Sequence, residues 1–425
     1  MRDKHLYTQL LGIEPPWKVR DVDLHLEEGE VHIYLELDPS VKLTCPICGR
    51  EAPRYDKRQR RWRHLDLFQY KAILIADLPR VECAHDGIHQ IEIPWSEPKS
   101  RFTALFEALA IDWLQEANMS AVSRQLGLSW DELDGIMGRA VERGLARRPR
   151  LSLRHIGIDE TSFQKRHEYV TAVMDQETGH AVYVADGRDQ AALDGFYETL
   201  TDEELEAIES VNIDMHKPYI QSTLDYVPGA EEKIAFDKFH VAKHLGDGVD
   251  KVRREENKEL TELGDKSLVK TRYLWLKNPW NMKPKVWRSF SDLRESSLRT
   301  ARAWAIKEMA MQLWDYVSRT WAEKAWKQWL AWAQRCRLKP MMRAAWTIRD
   351  HLWGILNAIV LKTTNASSES MNAKIQKIKT WACGYRNRER FRRAIMFHLG
   401  GLELHPARVK RSENGAMGYA THTIS

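Results

Sequence analysis

The chain has 425 residues, with 65 lysines and arginines against 60 aspartates and glutamates (net charge +5), 43% hydrophobic and 29% charged residues. That is about three times the common domain size, so two to four domains are expected, each able to bury its own core. No run of about 18 apolar residues is present, which excludes a membrane-spanning helix, and residues 1–10 lack the apolar core of a secretory signal, so an intracellular address is expected.

Three of the 5 cysteines, Cys45, Cys48 and Cys83, fall within one stretch, which in an intracellular chain points to metal binding rather than disulfides. Cys336 and Cys383 read as isolated thiols. The near balance of charge says little, but its distribution says more. Residues 54–63 (R-Y-D-K-R-Q-R-R-W-R) and 374–393 are strongly basic with interleaved aromatics, a composition suited to phosphate contact and base stacking.

In chain order, residues 31–37 (V-H-I-Y-L-E-L) alternate as a strand does and lead into Cys45-Pro-Ile-Cys48-Gly, where glycine permits the tight turn after the second thiol. A second strand over Lys71–Cys83 brings up C-A-H-D-G-I-H. Zn²⁺ takes four nitrogen or sulfur ligands in a tetrahedron, so Cys45, Cys48 and Cys83 need a fourth. His85, His89 and His64 each qualify, with His85 favoured by proximity.

After Pro94 and Pro98, a helix is expected that places Phe102, Leu105, Phe106, Leu109 and Trp113 on one face. Residues 119–126 form a short second helix, Gly127 turns the chain, and Ser129-Trp-Asp-Glu132 is a capping box opening a third helix to about Arg143. This is helix-turn-helix spacing, with the last helix as the candidate for the major groove and Arg139, Arg143, Arg147, Arg148 and Arg150 as its basic flank.

From Leu151 the pattern changes. Residues 152–161, 169–175 and 180–186 read as three strands joined by tight turns, followed by helices over 189–200 and 202–208, a buried strand over 210–214, a helix over 217–225 and a strand over 233–237. This is the element order of a ribonuclease H-like core. Residues 241–360 carry no strand signal and are dense in tryptophan. Trp314 and Trp321 are seven apart, as are Trp346 and Trp353, which predicts helix-on-helix packing.

Asp159 and Asp214 each end an apolar strand, so two carboxylates project from one edge of one sheet. A third comes from T-N-A-S-S-E-S-M-N, where Asn365 caps a helix whose first turns carry Glu369 and Asn372. The positive end of that helix favours an ionised Glu369. Cleaving a phosphodiester by in-line attack requires deprotonating a nucleophile and stabilising a leaving alkoxide. Two Mg²⁺ (or Mn²⁺) ions about 4 Å apart do both, and hard cations take oxygen ligands. Asp159 is placed to bridge both ions, with Asp214 on one and Glu369 on the other. Asp237, which also follows a strand, is the rival for the second aspartate.

The segments I-G-I-D-E, V-N-I-D-M-H-K-P-Y, F-D-K-F-H and T-N-A-S-S-E-S-M-N-A-K-I, followed by G-Y-R-N-R-E-R-F, resemble transposases of the insertion-sequence family ISL-three. The resemblance covers nearly the whole chain, including C-P-I-C-G and R-W-R-H-L-D. It implies a multidomain α+β protein with an N-terminal zinc-binding domain (1–98), a helix-turn-helix (99–148) and a ribonuclease H-like (DDE) catalytic core. That core occupies 149–240 and 361–405, is interrupted by an all-helical insertion (241–360), and is followed by a loose tail (406–425). It implies a metal-binding triad of Asp159, Asp214 and Glu369. Lys217 and His240 are then expected at the scissile phosphate, and Asn372, Lys374, Lys377, Arg386 and Arg390 along the DNA. In the family the second zinc pair more often places histidine three residues after the cysteine; this chain has Asp86 there, which leaves the fourth ligand open.

The implied activity is metal-dependent cleavage at terminal inverted repeats and strand transfer into target DNA. A homo-oligomeric synaptic complex in the bacterial cytoplasm, associated with the nucleoid, is expected. A non-catalytic DNA-binding regulator and a structure-specific nuclease of the same fold are the alternatives.

Overall fold

A computed structural model describes residues 2–164, 168–362, 366–411 and 417–419. The chain forms two compact units, Met1–Arg148 with Leu402–Ser425, and Pro149–Gly401. Both mix helices and strands, so the protein is multidomain α+β.

The first unit opens with helix α1 (Arg2–Leu10) and strands β1 (Trp17–His25), β2 (Glu30–Leu37), β3 (Arg54–Arg63), β4 (Lys71–Cys83) and β5 (Gly87–Gln90). The sheet runs β1-β2-β4-β3, with β5 also paired to β4. β4 is apolar almost throughout and is buried on both faces, as a central strand requires. Trp95 sits at the centre of the core, edge-on to Trp17 at 4.8 Å and to Trp62 at 5.6 Å. β3 is the basic stretch of the sequence. It holds an edge of the sheet with only Trp62 buried, and its charges discourage pairing with another chain.

Helices α2 (Ala104–Glu116), α3 (Met119–Leu126) and α4 (Trp130–Arg147) follow. Thr103, Asn118 and Ser129 cap them, Ser129 in the full box with Glu132, and Gly127 ends α3 with φ +65°. Phe102, Leu105 and Phe106 are buried as expected, but Leu109 is half-buried and Trp113 lies outside. Trp113 is 41% exposed, while Ala108, Ile111 and Leu114 go inside, because small alanines let the neighbouring helices approach and a buried Glu107 draws arginines to the same side. Residues 402–408 pack on this module. Arg143 donates to the Leu404 carbonyl at 2.7 and 3.0 Å, Arg147 to that of His405 at 2.7 Å, and His405 lies 2.9 Å from Asp112. The segment expected to be a loose tail also contains two short antiparallel strands, Val409–Arg411 and Met417–Tyr419.

The second unit contains β6 (His155–Gln164), β7 (Glu168–Asp175), β8 (Ala181–Asp186), α5 (Gln190–Tyr197), α6 (Asp202–Glu206), β9 (Ser210–Ile213), α7 (Lys217–Tyr226), α8 (Ala230–Lys233) and β10 (Ile234–Phe236). The sheet order is β10-β9-β6-β7-β8. β6 pairs antiparallel with β7 and β7 with β8, while β9 lies parallel to β6 and β10 parallel to β9. The three parallel strands β6, β9 and β10 therefore run in the same direction, and β9 and β10 end beside the middle of β6.

Between residues 238 and 361 the chain is helical, with α9 (Lys238–Glu262), α10 (Arg272–Leu276), α11 (Pro284–Arg294), α12 (Arg299–Gln312), α13 (Arg319–Ala333), α14 (Lys339–Asp350) and α15 (Leu352–Leu361). Trp275, Trp326 and Trp329 are buried, but Trp321 is 62% exposed and Trp346 is exposed as well. The seven-residue spacings misled because each spans a break. Trp314 lies in a 3-10 turn before α13, and His351 separates Trp346 on α14 from Trp353 on α15, so helical phase is lost. α15 returns to the sheet. Asn357 donates to the carbonyls of Glu231 and Ile234, each at 2.8 Å, and accepts from Arg319 at 2.7 Å. Gly354 is needed where α15 crosses β10, because a Cβ there would lie 2.4 Å from the Phe236 ring. Helices α16 (Ala366–Trp381) and α17 (Arg388–Leu399) complete the unit.

Candidate functional site

The register of the parallel strands positions the carboxylates. Gly157 pairs with Asn212, and Ile213 with Phe236. Two residues past the first pair stand Asp159 and Asp214, and one past the second stand Asp214 and Asp237. Three aspartates thus follow one another across adjacent strands, Asp214 and Asp237 just past the ends of β9 and β10 and Asp159 within β6, which runs on to Gln164.

Their surroundings differ. Asp159 Oδ1 accepts the Glu160 backbone N–H at 2.7 Å, and Oδ2 accepts from Asn372 Nδ2 at 2.5 Å. Burial pushes its carboxyl up to about 6, helped by the negative charges of Asp214 and Glu160 and opposed by the Glu160 N–H and by His240. Asp214 accepts the Met215 N–H at 2.6 Å and lies 3.4 Å from His240 Nε2. Asp237 is occupied at the N-terminus of α9, accepting the Phe239 N–H at 3.1 Å, and its other oxygen lies 3.3 Å from His240 Nδ1. His240 therefore joins Asp214 to Asp237. Burial works against its charged form, but the bond to Asp237 and the charges of Asp214, Asp237 and Asp159 outweigh it and raise its pKa.

Asp159 faces like charge at a buried edge and ionises reluctantly, which is the state of a hard-oxygen site whose compensation comes from a cation. Asp159 and Asp214 offer carboxylate oxygens, the donor type hard cations take, whereas Asp237 caps α9. Glu369 lies on α16 three residues before Asn372, and its side chain is outside the described residues, as is Asn365, the expected cap.

Asn372, an expected DNA contact, donates to Asp159. The same face of α16 continues this docking, with Gln376 on Thr161 Oγ1 at 3.1 Å and Lys379 on the Ser162 carbonyl at 2.7 Å. Lys374, Lys377 and Arg386 are exposed, Arg390 is half-buried, and Lys217 is exposed at the start of α7.

In the first unit, Cys45, Cys48, Cys83 and Asp86 converge, with all four ligand atoms within 4.8 Å of one another. Cys48 Sγ is 3.6 Å from Cys83 Sγ, and Asp86 Oδ2 is 3.4 Å from Cys45 and 3.3 Å from Cys83. A Zn–S length of about 2.3 Å gives a tetrahedral edge of about 3.8 Å, so the cluster fits Zn²⁺. Two turns build it. Gly49 (φ +71°) closes the first on the Cys45 carbonyl at 2.9 Å, and Gly87 (φ +83°) the second.

The nominated fourth ligand is corrected. His85 Nε2 accepts from Arg50 at 2.6 Å, away from the thiols, because a position two past Cys83 points outward while the third turns back. His89 donates to the Asp86 carbonyl at 2.6 Å. His64 is buried 2.9 Å from Thr103 Oγ1, and burial lowers its pKa to about 4.

Three arginines of the basic flank, Arg139, Arg143 and Arg147, have partners within the protein, while Arg150 is exposed. Buried Glu107 accepts from Arg139 Nε at 2.9 Å and from Ser100 at 2.7 Å, and Arg143 and Arg147 hold the 402–405 backbone as described above. The signal for this was Glu107 itself, an acid inside an apolar helix pattern.

Comparison with known proteins covers both sites. A family model described as transposase matches residues 156–395. One described as the helix-turn-helix domain of transposase family ISL3 matches 91–141, and one described as the zinc-finger of transposase IS204/IS1001/IS1096/IS1165 matches 42–86. The chain is 26% identical over 432 residues to the transposase for insertion sequence element IS1557 of Mycobacterium tuberculosis, covering 94% of this chain and 96% of that one. It is 27% identical over 398 residues to the transposase for IS1001 of Bordetella parapertussis, covering 92% and 97%.

Proposed function

The chain belongs to the ISL3 family of insertion-sequence transposases, and from that premise we propose that it binds the terminal inverted repeats of its own element, cuts the DNA at each end and joins the freed 3′ hydroxyl to target DNA. The observation that carries this reading is the in-register placement of Asp159 and Asp214 on adjacent parallel strands, with Asn372 of α16 bonded to Asp159.

Three antiparallel strands extended by two parallel ones support a ribonuclease H-like core. Residues 149–240 and 361–405 form that core and 241–360 the helical insertion. Residues 1–98 are the zinc-binding domain, 99–148 the helix-turn-helix and 406–425 the tail. Glu369, one turn before Asn372, is the third carboxylate.

A pair of Mg²⁺ (or Mn²⁺) ions would supply an activated nucleophile and neutralise charge at the leaving oxygen. Asp159, Asp214 and Glu369 would hold them. His240, whose charged form Asp237 and Asp214 favour, and Lys217 meet the scissile phosphate. The helix-turn-helix and transposase domains bind DNA. Within them α4 enters the major groove, and Lys374, Lys377, Arg386 and Arg390 follow the backbone. Cys45, Cys48, Cys83 and Asp86 hold one Zn²⁺. Both element ends must be handled together, so the working form is a homo-oligomer in a synaptic complex, in the cytoplasm at the nucleoid. Among the described residues no helix is long and apolar enough to cross a membrane.

The test is incubation of the purified protein with labelled terminal repeats, taken from the DNA flanking its gene, and Mg²⁺. Nicked ends and joined products are expected, and both disappear in Asp159→Asn, Asp214→Asn and Glu369→Gln. Cutting without joining points to a nuclease. Binding without cutting points to a regulator.

A further inference from the structure

A cavity of about 940 Å³ opens in the helical part of the second unit, and its lining includes Asp237, Lys238 and Phe239 from the start of α9, Lys362 from the end of α15, and Trp280 and Trp314. Trp280 is 94% exposed and Phe239 54%, whereas Trp275 and Trp326 nearby in the chain are fully buried. A local scaffold presents the indole. Residues Pro279–Asn281 form one 3-10 turn, and the Asn278 side chain accepts the Trp280 N–H at 3.1 Å. An aromatic ring left in water forgoes the burial that its neighbours obtain, and here it does so at the rim of a cavity.

We propose that this cavity receives one nucleotide of the DNA, turned out of its stack, with the base against Trp280 and Phe239 and the flanking phosphates met by Lys238 and Lys362. The inference rests on the reading of the chain as a DNA-cutting transposase.

Position supports it. Asp237 stands one strand beyond Asp214 and two beyond Asp159. At about 4.8 Å per strand, the cavity mouth begins about 10 Å from Asp159, or about three base steps of 3.4 Å along a DNA strand. Volume supports it too, since small-molecule sites span about 300–1,000 Å³. The chemistry is that of single-strand sites, aromatic faces beside cations. Of the acids in the lining, Asp237 is turned to the Phe239 N–H and His240, and Glu308 pairs with Lys307 at 2.6 Å. Asp315 is suited to a base's exocyclic amine and not to a phosphate. Asp237, one strand beyond Asp214, and Lys362, at the end of α15, both line the cavity.

The experiment uses the full chain and duplex terminal repeats carrying 5-iodouracil at successive positions around the cut, irradiated in Ca²⁺, with cross-linked peptides mapped by mass spectrometry. One position is expected to join to Trp280. Trp280→Ala, whose exposed side chain contributes little to folding, should still bind the repeats, up to about tenfold more weakly than wild type, and is compared at saturating protein. It should cut them about tenfold more slowly, the value of one base–aromatic stack. An abasic nucleotide at the cross-linked position should restore the rate, because no base remains to be unstacked. Gly246→Phe fills the cavity from α9, where an added Cβ meets only Leu276 at 3.7 Å, and should slow cutting without abasic rescue. The proposal is overturned if no position cross-links to the cavity, if both variants cut as wild type, or if abasic DNA rescues nothing. It is equally overturned if Trp280→Ala changes the sedimenting mass of the protein, which would assign the indole to a contact between copies. Wild-type protein that cuts no repeat at all sinks the transposase reading itself; normal cutting with any of these failures sinks only the nucleotide site.

Discussion

Asn372 Nδ2 lies 2.5 Å from Asp159 Oδ2, joining α16 to the middle of β6 across 213 positions of the chain. With Oδ1 held by the Glu160 N–H at 2.7 Å, both oxygens of Asp159 are oriented before any ion arrives. Asn372→Ala should therefore leave the carboxylate free to rotate, cutting cleavage by about 10–100-fold and raising the Mg²⁺ needed for half-maximal rate, as loss of an outer-shell partner does. Asn372→Asp adds a like charge and should be worse. Cleavage rate against Mg²⁺ concentration decides it, with melting temperature as the folding control. A variant matching wild type across the titration removes Asn372 from the support of the site.

The raised pKa of Asp159 has a signed consequence for stability. Its usual value of 3.8 applies in the unfolded chain, and about 6 in the folded, metal-free protein. Below pH 4 the group is protonated in both states and contributes nothing. Between about 4 and 6 the unfolded chain ionises first, so stability falls as pH rises, and the loss persists above 6. Asp159→Asn removes that loss. In chelator the variant should match wild type at pH 4 and exceed it at pH 7 by about 1–3 kcal/mol. Urea unfolding at both pH values measures this, and a difference that does not grow with pH contradicts it.

What the sequence made legible follows pattern strength. Lys71–Cys83 is readable because a strand buried on both faces is a continuous apolar run, and Asp159 and Asp214 because each closes such a run. β3 hides because an edge strand with one buried tryptophan carries no alternation. The tryptophan spacing fails where helices break, since periodicity holds only within one helix. Asp86 was passed over because nitrogen and sulfur are the expected donors, although the turn closes three residues past Cys83 and not two. Asn372 was assigned to DNA because a polar residue before a basic face reads as a backbone contact. Its partner on β6 is invisible without the tertiary fold.

Asp86 in the thiol cluster makes the zinc domain separable by substitution. Asp86→His should keep the metal, because it restores a nitrogen donor at the position that turns inward. Asp86→Ala should weaken binding by more than the about 10–100-fold typical of an outer-shell loss, and Cys45→Ser should do at least as much. His85→Ala should change nothing, since that ring accepts from Arg50. Zinc content after dialysis against graded chelator gives the order. Metal loss in His85→Ala with retention in Asp86→Ala would return the fourth position to the histidine.

Arg139 separates a structural from a DNA-binding role for the basic residues of α4. Glu107 is fully buried, and its Oε1 accepts from Arg139 and Ser100. Removing the guanidinium leaves a buried carboxylate short of its main counter-charge, so Arg139→Ala should cost about 3–5 kcal/mol of stability in the helix module. Glu107→Gln in the same chain should recover part of it, because the amide needs no counter-charge. A phosphate contact behaves otherwise. Its loss leaves stability alone and reduces the slope of log affinity against log salt by about 1. Arg139→Ala that folds as wild type but loses one unit of salt slope would move this residue from the core of the module to the DNA. A stability loss with the slope unchanged in the Arg139→Ala, Glu107→Gln pair would place it in the core.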